Sequence, residues 1–216
     1  SRHPATLETV SSGLHFMKMG GTKVYKFAVR VFAELVKGVI DKYGRDDIGV
    51  IVPTLDAQFW NSYVQFMEKG AEELGVNLVV LNADNKPDQM IKGLEDLVAQ
   101  GVDGIIYTPY WATAVPGLMM AKDASIPVIL TDSYADFAPQ DANFPNYLAF
   151  VGPSDRDAGK QMAEALFASL TPAADGKKYI AAVNGTAGTS VAIDRRAGLQ
   201  DALDAAPDVV LVGEVD

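Results

Sequence analysis

Several side chains have the types and spacing to hold a small polar molecule. Asp56, Phe59 and Trp60 follow one apolar run, Tyr110 and Trp111 a second, and Asp132 and Ser133 a third, while Arg195 sits in a late helical stretch. Aromatic faces beside fixed carboxylate and guanidinium groups suit a sugar, whose C–H bonds pack on the rings while Asp and Arg bridge neighbouring hydroxyls. Phe59 and Trp60 are adjacent and so point to different sides of a helix, and one of them is expected to face a cleft. The alternative for both is a place in the core of the first helix, a reading weaker for Trp60. For Asp132 the alternative is a turn or helix cap, and for Arg195 a surface ion pair with Asp194 or Asp201.

Other motifs carry less. Gly152 to Gln161 has the look of a phosphate loop, but the glycine spacing is one residue too long and Gln161 stands where a magnesium-binding hydroxyl is needed. Asn184 to Ser190 is glycine-rich between a strand and a helix; it could hold an anion on its backbone N–H groups, or be a tight turn capped by Thr189 or Ser190. His3 and His15 lack partners at metal-ligand or catalytic spacing, so no metal site and no histidine-based catalysis is expected. Acidic residues such as Glu68, Glu72 and Glu73 read as solvated helix surface.

The elements that position these groups follow from hydrophobic periodicity. Strands are expected at Ile48 to Val52, Asn77 to Leu81, Gly104 to Tyr107, Val128 to Thr131, Leu148 to Val151, Tyr179 to Val183 and Val209 to Val212. Helices are expected at Phe59 to Leu74, Pro87 to Gln100, Ala112 to Ala124, Asp155 to Leu170 and Thr189 to Ala205, with another at Val24 to Tyr43. Strands apolar throughout and joined by helices imply a doubly wound parallel α/β sheet covered on both faces. Such sheets expose their ligand-holding loops at the carboxyl ends of the strands, where the candidate residues fall. Residues 135–146, with two prolines and no helical period, suit a surface loop. The expected organisation is an N-terminal segment with one helix (1–46), a first lobe (47–147) and an incomplete second lobe (148–216).

Charge narrows the partners. The net charge of −10 disfavours nucleic acid and anionic lipid. It is also uneven: residues 1–46 carry eight Lys/Arg against four Asp/Glu, and the remainder ten against twenty-four. With no cysteine, the chain has no disulfide, thiolate metal site or cysteine nucleophile. No apolar stretch is long enough to span a membrane, and the first residues lack the apolar core of a secretion signal.

From Ile48 to Asp216 the chain resembles the sugar-binding proteins of bacterial ABC transporters, of the ribose- and galactose-binding periplasmic type, which share their core with sugar-responsive repressors. The resemblance rests on Ile48 to Leu55 followed by Phe59-Trp60, on Glu73-Leu74-Gly75-Val76, on Ile126 to Ile129, and on Ala187 to Ser190 through Arg195 to Gly198-Leu199. It implies two lobes closing on the ligand, no cofactor, no enzymatic activity, a membrane permease as partner and a periplasmic location. It also implies ligand contacts from Phe59, Trp60, Asp132 and Arg195. Ala57 stands where ribose binders tend to carry asparagine, and Ser133 where they place arginine, so another sugar or polyol is as well suited as ribose. The family's chain continues past the point where this one stops, and the open sheet edges of an unfinished lobe leave self-association open.

Residues 1 to about 53 instead resemble the later half of β-ketoacyl-acyl-carrier-protein synthase III, through Met19 to Arg30 and Ile48 to Pro53. Two resemblances meeting at one strand imply a composite chain. That enzyme's catalytic cysteine, histidine and asparagine have no counterparts here, which leaves an acyl- or coenzyme A-binding remnant, with Gly21 and Tyr25 near the pantetheine arm, as the alternative function. A sugar-responsive transcriptional regulator is a further alternative, although residues 1–46 lack a recognition-helix pattern.

Overall fold

The computed structural model describes residues 47–110 and 112–215. His3, His15, Trp111 and the helix expected at Val24 to Tyr43 lie outside them. Seven strands and five helices follow in order: β1 (Asp47–Val52), α1 (Gln58–Leu74), β2 (Asn77–Asn82), α2 (Pro87–Gln100), β3 (Gly104–Tyr107), α3 (Ala114–Asp123), β4 (Val128–Thr131), β5 (Tyr147–Val151), α4 (Asp155–Ser169), β6 (Lys178–Val183), α5 (Ser190–Asp204) and β7 (Val209–Val215). Every expected strand and helix from Ile48 onward is present within a few residues of its expected ends.

The first five strands form one parallel sheet in the order β2-β1-β3-β4-β5. Alternation along β1 sends Ile48, Val50 and Val52 to one face, where Trp60, Val64 and Met67 of α1 cover them. Ile51, Ile105, Tyr107 and Leu130 face the other side, under Met90, Leu94 and Leu97 of α2 and Leu118 of α3. Both faces are therefore dry, which is why these strands read as unbroken apolar runs. Helices α1 and α2 stop at Gly75 and Gly101, whose φ values of 71° and 70° are left-handed backbone suited to glycine. The strand order reverses at β1, which makes the carboxyl ends of β1 and β3 the topological switch point where sheets of this kind hold ligands.

Two expectations need correction. A lobe boundary after Tyr147 falls inside β5, which pairs with β4 from Tyr147 to Val151. The first sheet thus runs to Val151, and the chain leaves it at Gly152-Pro153-Ser154, because β5 is an apolar, half-buried strand that hydrogen-bonds alongside β4 as the sheet's edge. Residues 135–146 are not a plain surface loop either. Phe137 and Phe144 stack with centroids 4.8 Å apart, Phe137 meets Tyr147 edge-on, and both phenylalanines pack against the core. The aromatic residues, rather than the prolines, decide where that segment lies.

Beyond β5, the parallel pair β6-β7 is covered on one face by α4 and α5 around Ala163, Phe167, Ile180, Ala202 and Val209. Tyr179, Val183, Val212 and Val215 of the same pair are exposed. The two helices approach backbone to backbone. A Cβ on Gly159 would sit 2.2 Å from the Arg195 carbonyl oxygen, and one on Gly198 would sit 2.0 Å from that of Arg156. Arg156 then reaches over to Asp201 through two hydrogen bonds of 2.7 and 2.8 Å.

Overpacking at such a contact typically costs about 1–3 kcal/mol. Thermal unfolding of Gly198→Ala should show a loss of that order, while Gly213→Ala, with open space around its would-be Cβ, should stay within about 0.5 kcal/mol of the parent. Equal effects at the two positions would contradict the close helix contact.

Candidate functional site

The candidate site is built where the carboxyl ends of β1, β3 and β4 face the amino ends of α4 and α5. Asp132 follows β4 directly, and its left-handed backbone, φ 61°, is held by its own N–H donating to the Val151 carbonyl at 3.0 Å. Its Oδ2 accepts a 3.2 Å hydrogen bond from the Tyr110 hydroxyl, which comes from the loop after β3. Burial chiefly, with the Asp132 carboxylate next, raises the Tyr110 hydroxyl above its ordinary pKa, so it remains a proton donor.

Across from Asp132 stands Asp155, the first residue of α4, only 3% exposed. Arg195 of α5 donates from Nε to Asp155 Oδ1 at 2.7 Å, while about half of the arginine side chain stays exposed. Burial raises the Asp155 carboxyl and Arg195 pulls it back. Asp132 is also raised by burial first; the Tyr110 hydrogen bond lowers it, Asp155 raises it, and Arg195 lowers it again. Charges from both lobes therefore act on one carboxylate. Two carboxylates against one guanidinium provide acceptors and donors in a half-dry setting, the chemistry that hydroxyl groups need.

Aromatic rings continue the site toward the core. Trp60 is 5% exposed and makes edge-to-face contacts with Phe59 at 4.9 Å, Tyr63 at 5.3 Å and Tyr110 at 6.0 Å. Tyr63 in turn hydrogen-bonds Thr131 at 2.7 Å. Phe59, by contrast, is 59% exposed. The expectation for Trp60 needs correction: the sequence favours it over Phe59 for the cleft, but it is the one held in the core by the strand residues beneath α1, because Ile48, Val50 and Val52 lie under that face of the helix, and Phe59 is the one turned outward.

The structure thus brings Asp132 and Arg195 into mutual electrostatic range and links Asp132 through Tyr110 and Trp60 to Phe59. Neither expected alternative partner of Arg195 is used: Asp194 accepts from the Tyr134 hydroxyl and Asp201 pairs with Arg156. The sequence reading missed Asp155, whose only signal was an acidic residue opening a helix after Gly152-Pro153-Ser154. It also missed Tyr110 as a donor to Asp132. The glycine-rich turn before α5 is capped by Thr189, whose hydroxyl oxygen accepts from the Ala192 N–H at 3.2 Å and whose proton goes to the Thr186 carbonyl. Ser190 instead crosses to Ser133. Among the described residues no cluster of His, Asp and Glu could hold a metal ion.

Comparison with known proteins gives a family and a fold. A family model described as a periplasmic binding protein domain matches residues 48–216. The galactofuranose-binding protein YtfQ of Escherichia coli (strain K12) is 34% identical over 144 residues, covering 66% of this chain and 43% of that protein. The ribose import binding protein RbsB of the same organism is 33% identical over 162 residues, 74% of this chain and 51% of its own length. The chain thus spans about half the length of these relatives. A crystal structure of a galactofuranose-binding protein superposes with a TM-score of 0.69 at 28% identity, covering 79% of this chain and 55% of that one. A short match of 81 residues, 41% identical, is to β-ketoacyl-[acyl-carrier-protein] synthase III of Symbiobacterium thermophilum, covering 36% of this chain and 24% of the enzyme.

The raised Asp132 carboxyl has a consequence for stability. A group held above its ordinary 3.8 in the folded state stabilises the fold fully below that value, and the contribution is lost as pH rises through the folded value. Asp132→Asn removes this loss. Melting temperatures measured between about pH 4 and pH 7 should move in the variant's favour, relative to the parent, as pH rises. A difference that is flat across this range would contradict the burial of Asp132.

Proposed function

The chain belongs to the periplasmic binding protein domain family, and we propose that it binds a small sugar or polyol, without chemical turnover, between Asp132 of the first lobe and Arg195 of the second. What supports this reading is that the Arg195 and Asp132 charges act on one another, with Tyr110 donating to the carboxylate and Asp155 accepting from the guanidinium. Asp132 offers lone pairs to neighbouring ring hydroxyls. Arg195 offers donors from the side not committed to Asp155, and the exposed ring of Phe59 offers an apolar face to C–H bonds.

The relatives support a monosaccharide: YtfQ is named for galactofuranose and RbsB for ribose. A membrane permease of an ABC transporter is the partner this reading implies, and the periplasm the compartment. The same reading takes residues 1 to about 53 as a condensing-enzyme-like segment joined to the binding domain at β1. An intact gene that carries both segments in one continuous natural reading frame would contradict a composite origin. The condensing-enzyme alternative has no route to turnover, because no cysteine is present to take up the acyl group as a thioester.

Isothermal titration with ribose, arabinose, methyl galactofuranoside, hexoses and polyols tests the proposal. At least one should bind. Asp132→Ala should weaken it by about 1.5–3 kcal/mol, because the hydroxyls it served lose hydrogen bonds to a charged group. Phe59→Ala should weaken it by about 0.5–1.5 kcal/mol. Arg195→Lys keeps a charge beside Asp155 but loses the planar fork, and should weaken binding while the protein stays folded. No heat with any compound, or heat that these substitutions leave unchanged, would refute the proposal.

A further inference from the structure

The first sheet is not covered evenly by the described helices. On one face α1 packs on β1, on β2 and on Ile106 of β3; α2 and α3 cover the opposite face, and α4 and α5 cover β6 and β7. Beside α1 runs an apolar groove lined by Ile48, Gly104, Ile106, Pro127, Ile129 and Leu148, with no polar side chain among them. Gly104 leaves the depression in its floor, because a Cβ there would lie 3.2 Å from Ile48 Cδ1. Ile129 is 5% exposed, yet it joins neither the cluster under α1 nor the one under α2 and α3.

The groove lies at the amino rim of the sheet, where the chain enters β1: Ile48 is the second residue of β1, Gly104 opens β3, Pro127 precedes β4 and Leu148 is the second residue of β5. Val24 to Tyr43, outside the described residues, carries Lys26, Arg30, Glu34, Lys37 and Asp41 at spacings of three or four. Ala28, Phe32, Leu35 and Val39 repeat the same spacings half a helical turn away, the pattern of a helix with one apolar side. Only Gly44, Arg45 and Asp46 separate this segment from β1, and three residues reach at most about 10 Å. Its end is therefore tied to the amino rim, beside the groove.

We propose that Val24 to Tyr43 occupies this groove as a helix antiparallel to β1, with Ala28, Phe32, Leu35 and Val39 turned to the sheet. It completes the cover of the face that α1 leaves half finished. The short tether makes the contact intramolecular, at an effective concentration that a second copy of the chain does not match in dilute solution. Charge acts in the same direction, since residues 1–46 carry an excess of Lys/Arg and the remainder an excess of Asp/Glu. The docking is independent of sugar binding: the groove is at the amino rim of the sheet, and the cleft is at the carboxyl rim.

The chain has no native cysteine, so single introduced thiols report local cover. In the full chain with Ile129→Cys, maleimide labelling should be slow, and adding Phe32→Asp and Leu35→Asp should speed it roughly tenfold or more. Lys37→Glu, on the charged side of the segment, should leave the rate unchanged. The thiol of Met90→Cys, beneath α2 on the opposite face, should stay slow in every background. A second measurement needs no disruptive substitution: in the full chain with Val39→Cys and Leu148→Cys, a short bismaleimide should join the two positions within one molecule. Fast labelling at position 129 in the parent, or a rate that the double aspartate substitution leaves unchanged, overturns the proposal. A cross-link formed only between molecules also overturns it and assigns the groove to a second copy. Should positions 90 and 129 speed up alike, the variant has unfolded and the cross-link decides: its presence within the monomer upholds the docking, and its absence overturns it.

Discussion

A carboxylate taken out of water has to be balanced, and Asp155 is the one around which the second half of the site is arranged. It opens α4, where the helix dipole favours a negative charge, and it is nearly fully buried. The dipole alone does not offset the desolvation of a full charge, and Arg195 offsets a further part of it from α5, leaving the carboxyl still raised by burial. That pairing is reachable only because α4 and α5 lie close enough for glycine alone to fit at positions 159 and 198. The packing of two helices, the burial of an acid and the orientation of a guanidinium are thus one constraint seen at three levels.

The first lobe contributes the opposing half through topology. A parallel sheet places all its carboxyl ends on one rim, and the reversal of strand order at β1 sets the topological switch point there. Asp132 occupies that rim in a left-handed backbone turn, backed by Tyr110 and, behind it, by Trp60 and Tyr63. This aromatic layer joins the site to the core. The ring that opens outward, Phe59, is therefore carried on a rigid support rather than on a free loop.

Much of this was legible in the sequence, for a physical reason. Strands buried on both faces leave unbroken apolar runs, and helices closed by Gly75 and Gly101 leave sharp ends, so the βα alternation could be read from Ile48 onward. Asp132 and Arg195 could be singled out because they follow a strand end and a glycine-rich turn. What could not be read were choices made by tertiary contact. Periodicity shows that Phe59 and Trp60 face different ways but not which of them goes inward. The partner of Arg195 lies forty residues away at Asp155, while the nearer acids Asp194 and Asp201 are taken by Tyr134 and Arg156. Ser133 and Ser190 look like ordinary turn and cap residues until the lobes are brought together. β5 stands at the point where the chain changes lobes, and only its pairing with β4 shows to which sheet it belongs.

The account depends most on one cleft receiving a sugar between the two lobes. Backbone amide NMR during titration with methyl galactofuranoside and ribose reads this directly. The expected result is saturable shifts clustered at Phe59, Tyr110, Asp132, Asp155 and Arg195, residues drawn from both lobes. Spectra that remain unchanged with both sugars, or shifts gathered on a surface away from these residues, would contradict it.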